Sequence, residues 1–342
     1  MKQFKLIAIF TITVCMMGAV CACSSDDDDS GSGSTTAGVI DKSTGLRVKG
    51  VGNHTIYYAD DGRIDHISWS SRSRWDFTYN PNKIIRGNDE EDVINVDYNG
   101  SGYLSGMSWS FTEHEGGTTY TINSRLTFSY DGSGHLIKLS GSGSDVETKN
   151  GQRYESTTSG SYTLTWKNNY LMQVVMNNTT KSTKEGNMSD TETWTFAYDE
   201  NYENVFCQWT PSIIEWFTDR EDIEAVLAYV GLMGIGPKIL PSSAVYHYES
   251  DEDGRTYSGD RTYSYRYGLN SDGSVAYTSV NSTRYNFSYD YSETTRAISE
   301  QDETPQQMTT RNLPRLFKHL HRLPKGNTLT NEYGTTHFYK KQ

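Results

Sequence analysis

The chain is poor in cysteine and in positive charge, and each shortage excludes a class of protein. Only four cysteines occur in 342 residues, and three of them lie within the first 23. Cys207 stands alone in the rest of the chain, which excludes a fold held together by disulfides. Asp and Glu number 43 against 31 Lys and Arg, so the chain lacks the basic surface that binding to nucleic acid requires.

Sequence arrangements that carry catalysis are also missing. Neither a Gly-x-Ser-x-Gly elbow nor a Cys/His arrangement occurs. The densest acidic segment is residues 247–254, and its Asp-Gly end indicates a solvated turn after a strand. Asp60, Asp61 and the acidic run 89–92 have the same interpretation, since charged residues keep loops and strand edges wet. We therefore predict no catalytic residue, no metal site and no cofactor.

The chain begins with the organisation of a secretory leader, assigned to residues 1–22. Lys2 and Lys5 precede an apolar run over residues 6–20, which is shorter than the roughly 20 residues that a membrane-spanning helix needs. A small residue stands directly before Cys23, so the leader resembles that of a bacterial lipoprotein. This resemblance implies that Cys23 is the N-terminus after cleavage and carries acyl chains such as palmitate. An ordinary secretory leader is the alternative.

A solvated tether follows the predicted lipid site and completes the segment 23–39. Residues 24–38 consist of Ser, Asp, Gly, Thr and one Ala. The acidic run 26–29 resembles the signal by which Bacteroidetes export lipoproteins to the cell surface, which implies an outer-membrane anchor facing the exterior. Loss of residues 1–22 removes two lysines and moves the formal charge from −12 to −14.

A repeated phrase of aromatic strand, Tyr-Asp or Tyr-Asn turn, Gly and strand fills the middle of the chain. It is clearest at Tyr98-Asn99-Gly100-Ser101-Gly102 and Tyr130-Asp131-Gly132-Ser133-Gly134. The strands between the turns alternate apolar and polar residues with a period of two, as in antiparallel sheets with one wet face. We predict an all-β domain over residues 40–296, a long meander of about fourteen strands that forms a curved sheet or a part-closed barrel.

One short helix is predicted near residues 219–231. Thr218-x-x-Glu221 is a capping box, and apolar residues follow it at helical spacing. The glycines at 231–236 follow this helix rather than precede one, so they indicate a turn packed on the sheet and not a phosphate loop. Beyond the sheet, residues 297–342 form a basic tail, in which 311–325 is either a short amphipathic helix for a membrane or acidic partner or a flexible segment.

The leader with its acidic run, the Tyr-Asp/Asn-x-x-Gly hairpins and the Gly231–Pro241 segment together resemble a family of Bacteroidetes surface lipoproteins of unknown function. The resemblance covers residues 40–292 and implies a porin-like β-sheet fold. The hairpins are also similar to the Tyr-Asp repeats of large bacterial surface and toxin proteins. These motifs are structural, so the resemblance implies no catalytic residue.

We therefore expect a surface-anchored, non-enzymatic lipoprotein that presents a binding or scaffold surface. Glycans are one expected partner, because sugar rings stack on exposed aromatic faces and the chain holds 7 Trp and 25 Tyr. The tryptophans to inspect for exposure are Trp69, Trp75, Trp109 and Trp209. The alternatives are a glycan-processing enzyme with loop carboxylates, a structural partner of an outer-membrane complex, and a transmembrane barrel with its apolar face outward.

Overall fold

The computed structural model describes residues 47–70, 73–86, 93–115, 118–184, 186–199, 202–217, 223–252 and 254–290. The predicted leader, Cys23, the tether and the tail 297–342 lie outside these residues and stay predictions. So do the acidic run 89–92 and the capping box of the predicted helix.

Eighteen strands and two short helices form the described part of the chain. The first nine strands are β1 (Arg47–Val51), β2 (His54–Tyr58), β3 (Ile64–Ser70), β4 (Ser73–Tyr79), β5 (Asn82–Arg86), β6 (Val93–Tyr98), β7 (Leu104–Glu115), β8 (Thr118–Tyr130) and β9 (Leu136–Lys149). The others are β10 (Gln152–Lys167), β11 (Tyr170–Ser182), β12 (Gly186–Ala197), β13 (Tyr202–Glu203), β14 (Ile239–Leu240), β15 (Ser243–Glu252), β16 (Arg255–Leu269), β17 (Val275–Val280) and β18 (Thr283–Asp290). The helices are α1 (Pro211–Ile214) and α2 (Ile223–Tyr229).

Sixteen of these strands close into one antiparallel barrel. Each strand pairs with its neighbours along the chain, except that β12 pairs with β15 and β1 pairs with β18 to close the ring. The predicted all-β meander is confirmed. The strand count exceeds the prediction, because β1 to β6 are too short to show a long alternation, and the closure is complete rather than partial.

The repeated turn phrase forms one loop geometry. In the first copy Asn99 N–H donates to Tyr103 O (2.8 Å), Gly102 N–H donates to Asn99 O (2.9 Å), and Asn99 Oδ1 accepts the N–H groups of Ser101 and Tyr103. Gly102 has φ +82°, which its missing Cβ permits without strain. The copy that begins at Asp131 repeats these bonds, so the phrase predicted the turns correctly.

An aromatic side chain at the end of a strand closes most of these hairpins. It donates a hydrogen bond to a backbone carbonyl at the start of the strand before it. This bond gives a partner to the hydroxyl or indole N–H of a ring that lies at the edge of the core. The donors and acceptors are Tyr58 and Val48 (2.8 Å), Tyr79 and Ile64 (2.9 Å), Tyr130 and Leu104 (2.7 Å), Trp166 and Leu136 (2.8 Å), Tyr198 and Leu171 (2.7 Å), and Tyr289 and Val275 (2.8 Å). Burial raises the pKa of the Tyr79, Tyr130 and Tyr198 hydroxyls. These tyrosines therefore stay neutral donors.

The connection between β12 and β15 folds back into the barrel and fills its lumen. We call its described residues, 202–217 and 223–241, the plug. Every residue of α1 and α2 is buried, and the rings of Trp209 and Trp216 lie 6.3 Å apart between centroids. The predicted helix is confirmed as α2. It is apolar on almost all sides, as expected for a helix surrounded by core.

The plug is tied to strands and turns spread around the ring. Its hydrogen bonds to the wall join Leu104 N to Leu232 O (2.8 Å), Ile235 N to Gly134 O (2.9 Å), Lys238 N to Asn169 O (3.0 Å), Ser212 Oγ to Tyr267 OH (2.7 Å) and Tyr289 OH to Gln208 Oε1 (2.8 Å). Ring contacts add Tyr162 on Trp216 and Phe287 on Tyr229. The lumen is therefore a packed core around the plug.

A tight contact between plug and wall at Gly234 predicts a stability effect. Gly234 has φ +79°, and an added Cβ would lie 2.4 Å from Gly134 O and 2.8 Å from the Tyr130 ring. We expect Gly234→Ala to lower the free energy of unfolding by at least about 2 kcal/mol in urea denaturation. Gly100→Ala is the matched control, because no atom lies within 4 Å of its added Cβ. Equal midpoints for the two variants would contradict the described packing.

The outer side of the wall over β7 to β12 is rich in hydroxyl and amide groups. Its outward residues include Ser108, Ser110, Thr112, Asn123, Thr127, Ser140, Ser142, Ser144, Thr157, Ser159, Thr163, Thr165, Asn177, Thr179, Ser189, Thr191, Thr193 and Thr195. Apolar residues such as Leu126 and Val174 point inward and are buried. This polarity is the reverse of a lipid-facing barrel wall.

No described helix is long and apolar enough to cross a membrane.

The polar wall predicts the behaviour of the chain without its predicted anchor. We expect a variant beginning at Ser24 to stay monomeric without detergent, because this outer surface of the barrel is already hydrated. Light scattering with and without detergent measures this. A monomer that forms only in detergent would contradict the assignment of the polar side as the outer side.

Candidate functional site

The inner side of the wall divides into an apolar zone around the plug and a polar zone. The polar zone lies on β8 to β12, toward the end of the barrel that carries the Asn150–Gly151 turn. Its buried side chains are Ser124, Asp145, Glu147, Thr158, Asn178, Thr180 and Asp190. Buried polar groups are costly unless they are paired, so this zone is where the wall departs from ordinary packing.

A carboxylate pair lies on the inner side of the wall, at the end of the polar zone nearest the Asn150–Gly151 turn. Asp145 and Glu147 are two residues apart on β9 and therefore point to the same side, inward, each with 8% of its surface exposed. Lys184 Nζ lies 2.5 Å from Glu147 Oε2 and 5.0 Å from the ring centroid of Tyr154. Asp145 Oδ1 and Glu147 Oε1 are buried and have no hydrogen-bond partner among the described residues. We call Asp145, Glu147, Tyr154 and Lys184 the carboxylate site.

The environment perturbs the protonation of Asp145. Burial, and next the charge of Glu147, raise the pKa of Asp145 to about 6, and a backbone hydrogen bond at Val146 and the charge of Lys184 act in the opposite direction. Asp145 is therefore mostly ionised at neutral pH and protonates in mild acid. The Lys184 ammonium is paired with Glu147, and its charge also acts on Asp145.

Two further side chains show that hydrogen-bonding capacity in the polar zone is unmet. Asn178 is 2% exposed, and neither atom of its amide has a hydrogen-bond partner in the described chain. The Ser124 hydroxyl is likewise buried and unpartnered among those residues. Burial of such a group without a partner costs about 1–3 kcal/mol.

The acidic segment singled out in the sequence lies on another part of the barrel. His247, Glu249 and Asp251 point outward from β15. The His247 ring lies between two carboxylates: Nδ1 is 2.7 Å from Asp260 Oδ1, and Nε2 is 3.4 Å from Glu249 Oε1. These hydrogen bonds raise the pKa of His247, with Asp260 the larger cause. The groups are exposed, as predicted for a solvated strand end. Asp61 likewise lies in an exposed turn, with Arg63.

The described part of the chain holds no group of three His, Cys, Asp or Glu side chains placed to bind a metal ion. Cys207 is half-buried, and burial raises the pKa of its thiol. A thiol with a raised pKa is a poor nucleophile at neutral pH.

The four tryptophans named above for inspection of their exposure fall into two pairs. Trp109 and Trp209 are buried in the core and offer no exposed face for stacking. Trp69 and Trp75 are half-buried, with ring centroids 6.0 Å apart, and Trp75 packs against the core. The interpretation of most aromatic residues as core is therefore confirmed.

The sequence did not single out the carboxylate site. One signal was present: the inward phase of β9 runs through Leu139, Gly141 and Gly143 to Asp145 and Glu147, which places two acids at core positions. Small residues in this strand make the alternation weak. Its phase therefore becomes certain only from the pairing with β8 and β10.

Among the solved structures that this chain resembles is one from Bacteroides. It is a porin-like protein from Bacteroides uniformis, with 16% sequence identity and a TM-score of 0.39, covering 69% of this chain and 90% of that protein. No protein-family model matches the chain, and no curated protein matches it. The resemblance to a surface lipoprotein family stays a prediction.

The raised pKa of Asp145 predicts a pH-dependent stability. Its pKa is about 6 in the folded chain against a reference of 3.8, so the folded state binds the proton more tightly and stability falls as pH rises between these values. We expect Asp145→Asn to raise the free energy of unfolding by up to about 3 kcal/mol at pH 7, and this gain to vanish near pH 4.

Urea denaturation at several pH values measures this difference. Asp97→Asn, an exposed aspartate on β6, is the matched control and should leave the profile unchanged. A gain in stability that is independent of pH would show that ionisation of Asp145 is not its cause.

Proposed function

We propose that this chain is a non-enzymatic, lipid-anchored protein of the outer membrane that faces the cell exterior and presents its barrel as a glycan-binding surface. The predicted leader, Cys23 and the acidic run 26–29 support the location. The filled lumen and the polar outer wall support the role of a solid scaffold. The observation that carries the proposal is the inverted polarity of the wall, apolar toward the plug and hydroxyl-rich toward solvent.

A depression on this outer wall supports glycans as the ligand class. It has a volume of about 480 Å³ and crosses β6 to β9. The outward residues that line it are Asn95, Ser108, Ser110, Asn123, Arg125, Ser142 and Ser144. Amide and hydroxyl groups both donate and accept hydrogen bonds, as sugar hydroxyls do. A surface with one cation among such groups suits a polyhydroxyl chain better than a strongly charged partner.

A glycan-processing enzyme is the second candidate, and one observation favours it. Glycoside hydrolysis uses two carboxyl groups, one of which is kept protonated by a raised pKa. Asp145 and Glu147 form a buried pair, and the pKa of Asp145 is raised. The two candidates differ in what becomes of the glycan.

The experiment is a thermal-shift panel of host and dietary polysaccharides against the purified protein. A ligand that binds the folded state at a hundred times its Kd stabilises it by about 2.7 kcal/mol, which is a visible shift in Tm. We expect a saturable shift with at least one neutral glycan, and the glycan to be recovered at its original length. Recovery of shortened glycan chains would favour the glycan-processing enzyme. No shift in Tm across the panel would overturn glycan binding.

The depression itself is tested by a pair of variants. The double variant Asn123→Ala and Ser144→Ala should lose the shift, because both side chains line the depression. The control is Thr179→Ala with Ser189→Ala, a cross-strand pair on the same outer side but on β11 and β12. Equal loss in both would place the binding elsewhere on the wall.

A further inference from the structure

The carboxylate site already holds an ammonium group, that of Lys184. Its Nζ forms an ion pair with Glu147 and lies over the face of the Tyr154 ring. A carboxylate and an aromatic face are the two groups that attract an organic cation most strongly. The contacts of Lys184 therefore match those that an organic ammonium group would make at this part of the inner wall.

The site has acceptor atoms left over. Asp145 Oδ1 and Glu147 Oε1 are buried and unpartnered among the described residues, although Lys184 is bound to the other oxygen of Glu147. Two neighbouring charges affect the pKa of Asp145: the charge of Glu147 raises it, and the charge of Lys184 lowers it. Lys149 follows Glu147 on the same side of β9 but is exposed at the strand end, and it is not among those groups. Lys184 therefore leaves one oxygen of each carboxylate without a hydrogen-bond donor among the described residues.

We propose that the carboxylate site binds the primary ammonium group of an amino sugar, between Asp145, Glu147 and the Tyr154 ring, in competition with the ammonium of Lys184. This inference goes beyond the proposed function, because it adds a second binding site, on the inner side of the wall, for a glycan with free amino groups. The ammonium donates hydrogen bonds to the two unpartnered carboxylate oxygens, while sugar hydroxyls face the neighbouring polar residues of the zone.

A metal ion fits the site less well than an amine. Ca²⁺ takes six to eight oxygen ligands and Mg²⁺ takes six in near-octahedral geometry, whereas two carboxylates are present here and no third acidic or histidine ligand joins them in the described chain. The aromatic face also favours an organic cation, because its attraction requires contact with the ring rather than coordination.

The position of the site gives an amine a route to it. Lys184 lies in the turn after β11, at the Asn150–Gly151 end of the barrel, and its side chain is 27% exposed against 11% for Glu147. Asp145 lies two residues deeper on β9. Movement of the flexible Lys184 side chain uncovers Glu147 first, so an incoming ammonium would replace that of Lys184 without displacing the plug.

The test measures Kd for a β-linked glucosamine tetrasaccharide and for its N-acetylated form by calorimetry, using the full chain. We expect the free amine to bind at least about tenfold more tightly than the acetylated form, since acetylation removes the charge. Asp145→Asn and Glu147→Gln should each weaken amine binding at least about tenfold. The outward Glu155→Gln on β10 is their control and should leave the Kd unchanged. Circular dichroism confirms that each variant is folded.

Removal of the internal ammonium gives an opposite and more specific effect. Lys184→Met should tighten binding of the glucosamine tetrasaccharide, because the competing group is gone. Lys181→Met removes a charge from the outer side of β11, three residues away, and should leave the Kd unchanged. An equal effect of both variants would show general electrostatic attraction and overturn the site.

The outcomes separate this inference from the proposed function. If neutral glycans bind while the tetrasaccharide binds no better than its acetylated form, the carboxylate site is overturned and glycan binding stands. If the tetrasaccharide binds through Asp145 while no neutral glycan shifts the Tm, the site stands and the hydroxyl-rich outer wall is not the binding surface. Wild-type affinity in both Asp145→Asn and Glu147→Gln overturns the site directly.

Discussion

The filling of the lumen is the constraint on which the rest of the structure depends. A ring of sixteen strands encloses more space than its own inward side chains fill, and an empty apolar lumen would forfeit the contacts that burial provides. The chain solves this by leaving the ring once, between β12 and β15, and sending that connection inside. Trp209, Trp216 and all of α2 then complete a core that the strands alone do not possess.

The extent of the plug also determines where the wall changes character. Around the plug the inward positions are Leu, Val and aromatic residues, whereas toward the Asn150–Gly151 end they become Ser, Thr, Asn, Asp and Glu. Buried carboxylates without full pairing reduce stability, and replacing them with apolar residues of similar size is often neutral or stabilising. The proposed binding of an ammonium group at Asp145 and Glu147 would account for this cost.

Local features of this fold could be predicted from the sequence, and long-range features could not. The Tyr-Asn and Tyr-Asp phrases specify their turns through one side-chain oxygen and one glycine, so Asn99 and Asp131 revealed the hairpins. Closure rests instead on a few pairs between β1 and β18, such as Val48 with Tyr289, which are distant in sequence. The inward orientation of Asp145 is likewise fixed by strand pairing, because the glycines and serines of β9 give little alternation of apolar and polar residues.

The polarity of the wall also bears on the proposed attachment to the outer membrane. Hydrocarbon favours a barrel whose outward residues are apolar, and the outward threonines and serines of β7 to β12 would lose their water there. A wall of this polarity agrees with the proposal that acyl chains on Cys23 provide the attachment, at about 0.8 kcal/mol per buried methylene.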